Sequence, residues 1–569
     1  MKKLMLRVIF FYQSISLCAA SSIPSEIIIP NLQQQGIPSI KREELNPNKE
    51  LPEKNSQTES GSEFADQVLP SAIRSVELRS QRFTNEINSL LSQFIGKDRL
   101  SGKKLGEVRG EIWNLYRQHG ILTRVELSAI PHIEADKGSI LLVSIEEIRI
   151  RSISVEQENS AQLQQNLLDG FLADAKADLS TGGILNLDDM ERFIQRRAYL
   201  KDLSIRANLI PVDTDYVDVQ FLVSNPPFEK LGWLLQYDSN GVMTTGRDRY
   251  SLAVSIPGRL LRGDQFDLLA LKSAGMSYGR IAYEFPFIGL RSRLNMWASD
   301  VGYRMPPLTK GNTTSLGAGL NYLFHIDNQS IWNIYLNLIR KHQADFFTNE
   351  TPTANKNTNI VQLKIDTQYA LDANRSLRAN AALTRGNLNL SALPSAELQD
   401  SASTNAAGNF TKFEWRAAWH THVGYSGRWD ASLDANGQFS NKNLDQSEKF
   451  ALGGPFAIRA YGSSEALGDE GYVVRTDLGY TPTNGFRLFT FYDSGRIHLN
   501  KQSWGVQNLP PSYKLRGVGV GFSYFYKSLN SSVTYGRQIG DNPGLFSTGL
   551  DAEGVKNRDR LWVSLTCQF

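Results

Sequence analysis

Cysteine is almost missing from this chain of 569 residues, which carries only Cys18 and Cys567. Cys18 lies in an N-terminal stretch that is expected to be removed, so one thiol is left, and neither an intramolecular disulfide nor a cysteine metal cluster can form. A net charge of +3, with the basic residues spread along the chain, rules out the basic patch that a nucleic-acid partner needs. Catalytic signatures are missing as well: there is no G-x-S-x-G elbow, no G-x-x-x-x-G-K-[ST] phosphate loop and no H-E-x-x-H. His420 and His422 share a face of one expected strand, but without a third clustered ligand they make a poor metal site. No catalytic residue, no metal and no cofactor is expected, and the lumen-facing Lys, Glu and Asp residues described below read as the wet lining of a pore.

Long apolar runs are also scarce. The first, from Met1 to Tyr12, has a basic start, is too short to span a bilayer and leads to the small residues Ala19, Ala20, Ser21 and Ser22. That is the pattern of a secretory signal peptide over 1–20, which implies export from the cytoplasm. Attachment of a lipid at Cys18 is disfavoured by the bulky Leu17 before it.

Residues 21–69 are polar and punctuated by Pro24, Pro30, Pro38, Pro47 and Pro52, and cannot bury enough apolar surface to fold alone. From residue 70 the pattern changes. Ile73, Val76 and Leu78 predict a strand; Ile87, Leu90, Leu91, Phe94 and Ile95, then Leu105, Val108, Ile112, Leu115 and Tyr116, recur at helical spacing. Ser101 is placed to cap the second helix and Gly120 to stop it. Strands are expected at 124–130 and 139–145. The same β-α-α-β-β order begins again near Ile150, so 70–149 and 150–227 form an internal repeat.

After residue 228 the helical period disappears. About sixteen segments alternate apolar and polar residues, each near the ten residues that a tilted transmembrane strand requires. Val361, Leu363, Ile365 and Tyr369 oppose Gln362, Lys364, Asp366 and Gln368; Phe413, Trp415, Ala417 and Trp419 oppose Lys412, Glu414, Arg416 and His420. Connections range from a tight turn at Asp238-Ser239-Asn240-Gly241 to the long stretch Ser391 to Asn409. The fold class is therefore α+β repeats followed by a transmembrane 16-stranded antiparallel β-barrel. An even strand count returns both barrel ends to one side and makes Ser440 to Glu470 the sixth loop on the other.

That loop contains Leu452-Gly453-Gly454-Pro455-Phe456-Ala457-Ile458-Arg459-Ala460-Tyr461, and the thirteenth expected strand contains Phe491-Tyr492-Asp493-Ser494-Gly495. A lone Arg and a lone Asp in apolar, glycine-rich surroundings each need a partner. Strand parity turns Phe491, Asp493 and Gly495 inward if Tyr492 meets lipid, so a loop folded into the lumen can bring Arg459 to Asp493. Gly517, Gly519 and Gly521 on the next strand also point inward and leave room for close approach. The final segment, Leu561 to Phe569, ends on an aromatic.

These two motifs resemble the signatures of the two-partner secretion transporters (TpsB, the haemolysin secretion/activation type), in which a V-R-G-Y loop tip meets F-x-D-x-G on the barrel wall. Here the tip is Ile458, Arg459, Ala460 and Tyr461, with alanine where the family has glycine. Tyr116 to Ile121 and Asp189-Met190-Glu191-Arg192 resemble Y-x-x-x-G-Y and D-x-E-R patterns of POTRA domains. The resemblance implies POTRA domains at 70–149 and 150–227 in the periplasm, a plug or linker at 21–69, and a barrel from 228 to 569 in a Gram-negative-type outer membrane. It also implies a large adhesin-like or haemolysin-like exoprotein as the partner, received through its N-terminal secretion domain and moved without nucleotide. A terminal Phe569 resembles the insertion signal of outer-membrane barrels, which implies contact with outer-membrane lipid, the barrel-assembly machinery and periplasmic chaperones. The transporter is expected to act as a monomer. A barrel-assembly factor and a passive porin are the alternatives.

Overall fold

The computed structural model describes residues 73–569, apart from 81, 94, 96–101, 132–138, 159–164, 200–203, 225–230 and a few residues of the barrel connections. The expected signal peptide, the segment 21–69 and the cap at Ser101 lie outside the described residues. The described residues up to Ser224 form one compact unit and those from Leu231 onward another.

The first unit holds two copies of one arrangement. Strand β1 (Ile73–Arg79), helices α1 (Thr84–Ser92) and α2 (Gly102–Gln118), and strands β2 (Thr123–Pro131) and β3 (Ser139–Glu147) are followed by β4 (Arg149–Gln157), α3 (Gln165–Asp178), α4 (Leu187–Tyr199), β5 (Ser204–Pro211) and β6 (Tyr216–Ser224). In each sheet the last strand is central, parallel to the first and antiparallel to the second, in the orders β1-β3-β2 and β4-β6-β5. Ile87, Leu91, Ile112 and Tyr116 from the helices close over Leu141 and Val143 in the first core, while Phe171, Phe193 and Phe221 pack edge-on or tilted in the second. Helix α1 ends at Ser92, so Ile95 lies beyond it and is exposed; the helical spacing that reaches Ile95 in sequence is not used to its end.

Gly120 ends α2 with a φ of +74°, a conformation in which a side chain is strained. Its carbonyl accepts from Leu187 N at 2.7 Å, and a Cβ there would lie 2.6 Å from Asn186 Oδ1, so the glycine also lets the two copies meet. Leu122 of the first copy is buried in the core of the second. Near this junction Glu146 faces Asp215 from the β5–β6 turn. A proton shared with Asp215, then burial and the neighbouring negative charge, push the Glu146 carboxyl up from its usual range. The folded form thus holds its proton more tightly than the unfolded form. The associated stabilisation is present below the unfolded pKa and is lost as pH rises through the folded one. Because the group is largely exposed, Glu146→Gln is expected to raise the melting temperature of this unit in the full chain only slightly, by roughly 1–2 °C at pH 7. The gain should vanish at low pH, which calorimetry at both values would check.

The second unit is a closed barrel of sixteen strands. They are β7 (Gly232–Asp238), β8 (Arg249–Pro257), β9 (Gln265–Lys272), β10 (Met276–Pro286), β11 (Ser292–Met305), β12 (Thr309–Ile326), β13 (Ser330–Phe347), β14 (Pro352–Ala370), β15 (Arg375–Asn389), β16 (Gly408–Val423), β17 (Trp429–Ser440), β20 (Glu470–Thr483), β21 (Phe486–His498), β22 (Ser512–Tyr526), β23 (Leu529–Gln538) and β24 (Asp559–Gln568). Two short strands, β18 (Phe450–Ala451) and β19 (Leu467–Gly468), pair only with each other. Every neighbouring pair in the barrel is antiparallel, and β24 closes on β7 over Ser564 to Gln568. Leu363, Leu338, Leu433 and Leu478 stand outward and exposed, as lipid-facing residues must, while Lys341, Gln343, Lys412 and Gln438 turn inward and are buried. Trp429 against Tyr480, and Tyr524 beside Tyr526, place aromatics at the rim where the chain enters the barrel.

Strand heights are unequal. β7 has 7 residues and β14 has 19, although about 9–11 suffice to cross a membrane. The expected tight turn at Asp238 to Gly241 is instead the start of a longer link, 239–248. Asp238 accepts from Arg249 Nε at 2.7 Å, and Gly241 N donates to Arg247 O at 2.9 Å, so pairing across the base of the link replaces a two-residue turn.

Candidate functional site

Residues 441–469, which join β17 to β20, turn into the bore. Glycine shapes the tip: Gly454 has a φ of +120°, its N–H donates to Tyr461 O at 3.1 Å, and Ile458 N returns to Leu452 O at 3.0 Å. A compact knot results, whose Leu452, Ile458, Ala460 and Tyr461 are buried with Val473, Ile497, Tyr513 and Leu515 of the wall.

Arg459 projects from this knot to the inner face of β21. Its Nε donates to Asp493 Oδ2 at 2.9 Å and its NH2 to Oδ1 at 2.6 Å, a bidentate pair, and its backbone N–H also donates to Oδ2 at 2.9 Å. NH2 reaches Asp477 Oδ1 of β20 at 2.6 Å, so one cation faces two carboxylates. The guanidinium carbon lies 3.8 Å from the centroid of the Phe491 ring, within cation–π range. Asp493 has no exposure at all and the Arg459 side chain only 8%, so little water competes for the pair.

The wall motif has a separate task at each alternate position: Phe491 gives a ring face, Asp493 a carboxylate, and Gly495 space, since a Cβ there would lie 2.5 Å from Leu452 Cδ1. Of the three lumen glycines, only Gly517 receives the loop; its Cβ would come 2.6 Å from that of Ala460. Gly519 and Gly521 instead lie under the rings of Phe491 and Phe489 from the neighbouring strand, because an inward ring needs a glycine opposite it. Ala460 is not among the residues with a left-handed backbone, so alanine is accommodated without strain where the family has glycine. Tyr461 is buried and donates to Arg516 O at 3.3 Å.

Sequence reasoning missed three residues that hold the tip. Trp562 Nε1 donates to Arg459 O at 2.7 Å, Gly536 makes room for that same carbonyl, whose oxygen would be 2.8 Å from a Cβ, and Asp477 shares the guanidinium. A signal existed for Trp562, the one large aromatic on the inward face of the last strand. Nor are the inward lysines simply a wet lining. Lys341, Lys356 and Lys412 are engaged with carboxylates of the loop, a pairing that residue parity cannot reveal. His420 and His422 stand edge to face with centroids 5.1 Å apart, and among the described residues no group of three metal-binding side chains occurs.

Phe569 stands exposed at the seam, where its N–H donates to Trp233 O at 2.9 Å and its carbonyl accepts from Trp233 N at 3.1 Å. Its side chain and its backbone can therefore be separated. If the ring is an insertion signal, Phe569→Ala should lower the amount of barrel in the membrane several-fold, as deletion of the residue should. Loss on deletion alone, in immunoblots of isolated outer membranes, would assign the effect to seam closure.

A sixteen-stranded lipid-facing barrel behind two α/β repeats, with a loop tied across its bore, defines an outer-membrane protein of the transporter type. Residues 222–524 match the model of the haemolysin secretion/activation proteins ShlB/FhaC/HecB, and the chain belongs to that family. Two similar proteins are the heme/hemopexin transporter HuxB of Haemophilus influenzae strain 86-028NP, 23% identical over 468 residues and 78% of each chain, and HuxB of Haemophilus influenzae, 24% identical over 469 residues, 77% of this chain and 78% of that one. Among solved structures, CdiB from Escherichia coli aligns with a TM-score of 0.59 at 15% identity, over 93% of this chain and 96% of that one. BamA from Haemophilus ducreyi lacking POTRA domains 1–3 aligns with 0.53 at 14% identity, over 88% and 99%. Both show the same fold.

Proposed function

We propose that this protein carries a large secreted exoprotein across the outer membrane by two-partner secretion. The observation that carries this reading is the loop 441–469 held inside a closed barrel by Arg459 and Asp493, in a chain of the secretion/activation family. The two α/β repeats, 70–149 and 150–227, are periplasmic POTRA domains on this reading. They receive the unfolded partner by offering a sheet edge to its N-terminal secretion domain. Their place on the periplasmic side is supported by the even strand number, which returns both barrel ends to one side. The chain acts as a monomer, reaches the membrane through the barrel-assembly machinery with periplasmic chaperones, and needs no covalent chemistry for transport. That the relatives are named transporters favours this reading over assembly of other barrels or passive diffusion.

The test compares the secreted and outer-membrane proteomes of cells with and without this protein. Loss of one large exoprotein, with other barrels unchanged, is the expected result and would name the partner. Depletion of many barrels would make it an assembly factor, and no change in either fraction would favour a channel.

A further inference from the structure

We propose that the loop has a second anchor, a cationic socket around Glu448 on the wall opposite the tip, which holds the descending limb independently of Arg459. The inference deepens the reading of the loop as the transport element and rests on it.

The descending limb makes one short turn at Gln446–Glu448, opened by Asp445, whose carboxylate accepts from Ser447 N at 3.1 Å. The charged side chains of this turn then diverge to separate partners. Glu448 accepts from Lys341 Nζ of β13 at 2.7 Å and lies 3.1 Å from Lys412 Nζ of β16. Asp445 accepts from Lys356 Nζ of β14 at 2.7 Å. Lys449 lies 2.7 Å from Asp469, where the loop returns, and ties the two limbs together. Beneath them Leu444 is buried against Trp297, Ile339, Ile360 and Phe410. Gln438 Nε2 donates to the carbonyls of both Glu448 and Asp469, at 3.0 and 3.1 Å.

The side chain of Glu448 is 4% exposed and that of Lys412 is 9%. Groups so far from water stay charged only while paired, and removing Glu448 takes the loop carboxylate from Lys341 and leaves Lys412 with Glu414 of its own strand, 3.3 Å away. The socket lies on β13, β14 and β16, whereas the tip is held by β20 to β24 across the bore. The two anchors share no side chain. The loop is thus a beam fixed at both walls, and freeing the tip leaves the descending limb in place.

The test uses the full chain carrying Cys567→Ala, with a spin label at Gln446 in the limb or at Phe456 in the tip, and ion conductance in planar bilayers. Glu448→Lys puts a third cation between Lys341 and Lys412. It is expected to mobilise the label at 446, leave the label at 456 immobile, and raise the frequency of high-conductance openings at least about tenfold, equivalent to about 1.4 kcal/mol. Adding Lys412→Glu should reverse all of this, which a general loss of packing would not. An immobile label at 446 in a variant whose gel migration shows a folded barrel would overturn the proposal. So would mobilisation of both labels together, which would make the loop one body with one anchor. None of these measurements involves a secreted partner, so their failure is separate from failure of the transport reading.

Discussion

Arg459→Ala is expected to cut delivery of the exported partner at least about tenfold while the barrel still folds and reaches the membrane. Without the guanidinium, Asp493 stays fully buried beside Asp477 with only Arg475, opposite it on β20, as a neighbouring cation, and loss of one member of a buried pair costs about 3–5 kcal/mol. The backbone bonds to the tip, from Trp562 to the carbonyl and from the Arg459 N–H to Asp493, survive, so the tip loosens rather than unfolds. Asp493→Ala should do at least as much harm, because it removes three hydrogen bonds at once. Immunoblots of partner in the medium, set against heat-modifiable barrel in outer membranes, measure both quantities. Normal secretion by both variants would remove the tip anchor from the mechanism.

Gly519→Val is expected to have the opposite profile, with folded barrel falling about tenfold and secretion falling with it. A Cβ at Gly519 would overlap the carbonyl oxygen of Tyr535 and the ring of Phe491. The first is backbone, fixed where β22 pairs with β23, and cannot move aside without breaking the ladder. Gly517→Ala is the matched control. The nearest atom to its new methyl is the Cβ of Ala460 in the loop at 2.6 Å, and the nearest strand backbone is Arg537 O at 3.5 Å, so the tip is displaced and the wall stands. Equal amounts of folded protein in both variants would show that ring and strand relax together.

The barrel was largely legible because its evidence is periodic. Each strand repeats the same alternation, so the patterns read at 361–369 and 412–420 fall within the observed strands β14 and β16, and the β-α-α-β-β order was readable for the same reason. Parity alone directed Asp493 inward. What stayed illegible were contacts that depend on where a loop lands. Nothing in the spacing of Asp445, Glu448 and Lys449 indicates Lys356, Lys341 or Asp469 as partners, since those pairings follow from the path of the limb. The lumen glycines show the same limit. Their parity was readable, but whether a glycine admits a loop, as Gly517 does, or a neighbour's ring, as Gly519 does, is decided by the residue opposite it on the next strand.

The unequal strand heights bear on how a translocated chain would first meet the outside. On the side of β12 to β14 the wall continues well past membrane thickness, while on the side of β7 to β9 the strands have only 7 to 9 residues. The mouth is therefore cut on a slant. A polypeptide emerging from it would meet a tall wall along one flank and only the short strands with the link 239–248 along the other, so its first freedom to collapse and add hydrogen bonds would lie over the low rim. Folding would then start with a fixed bearing relative to the barrel, and the nascent structure would grow away from the high wall.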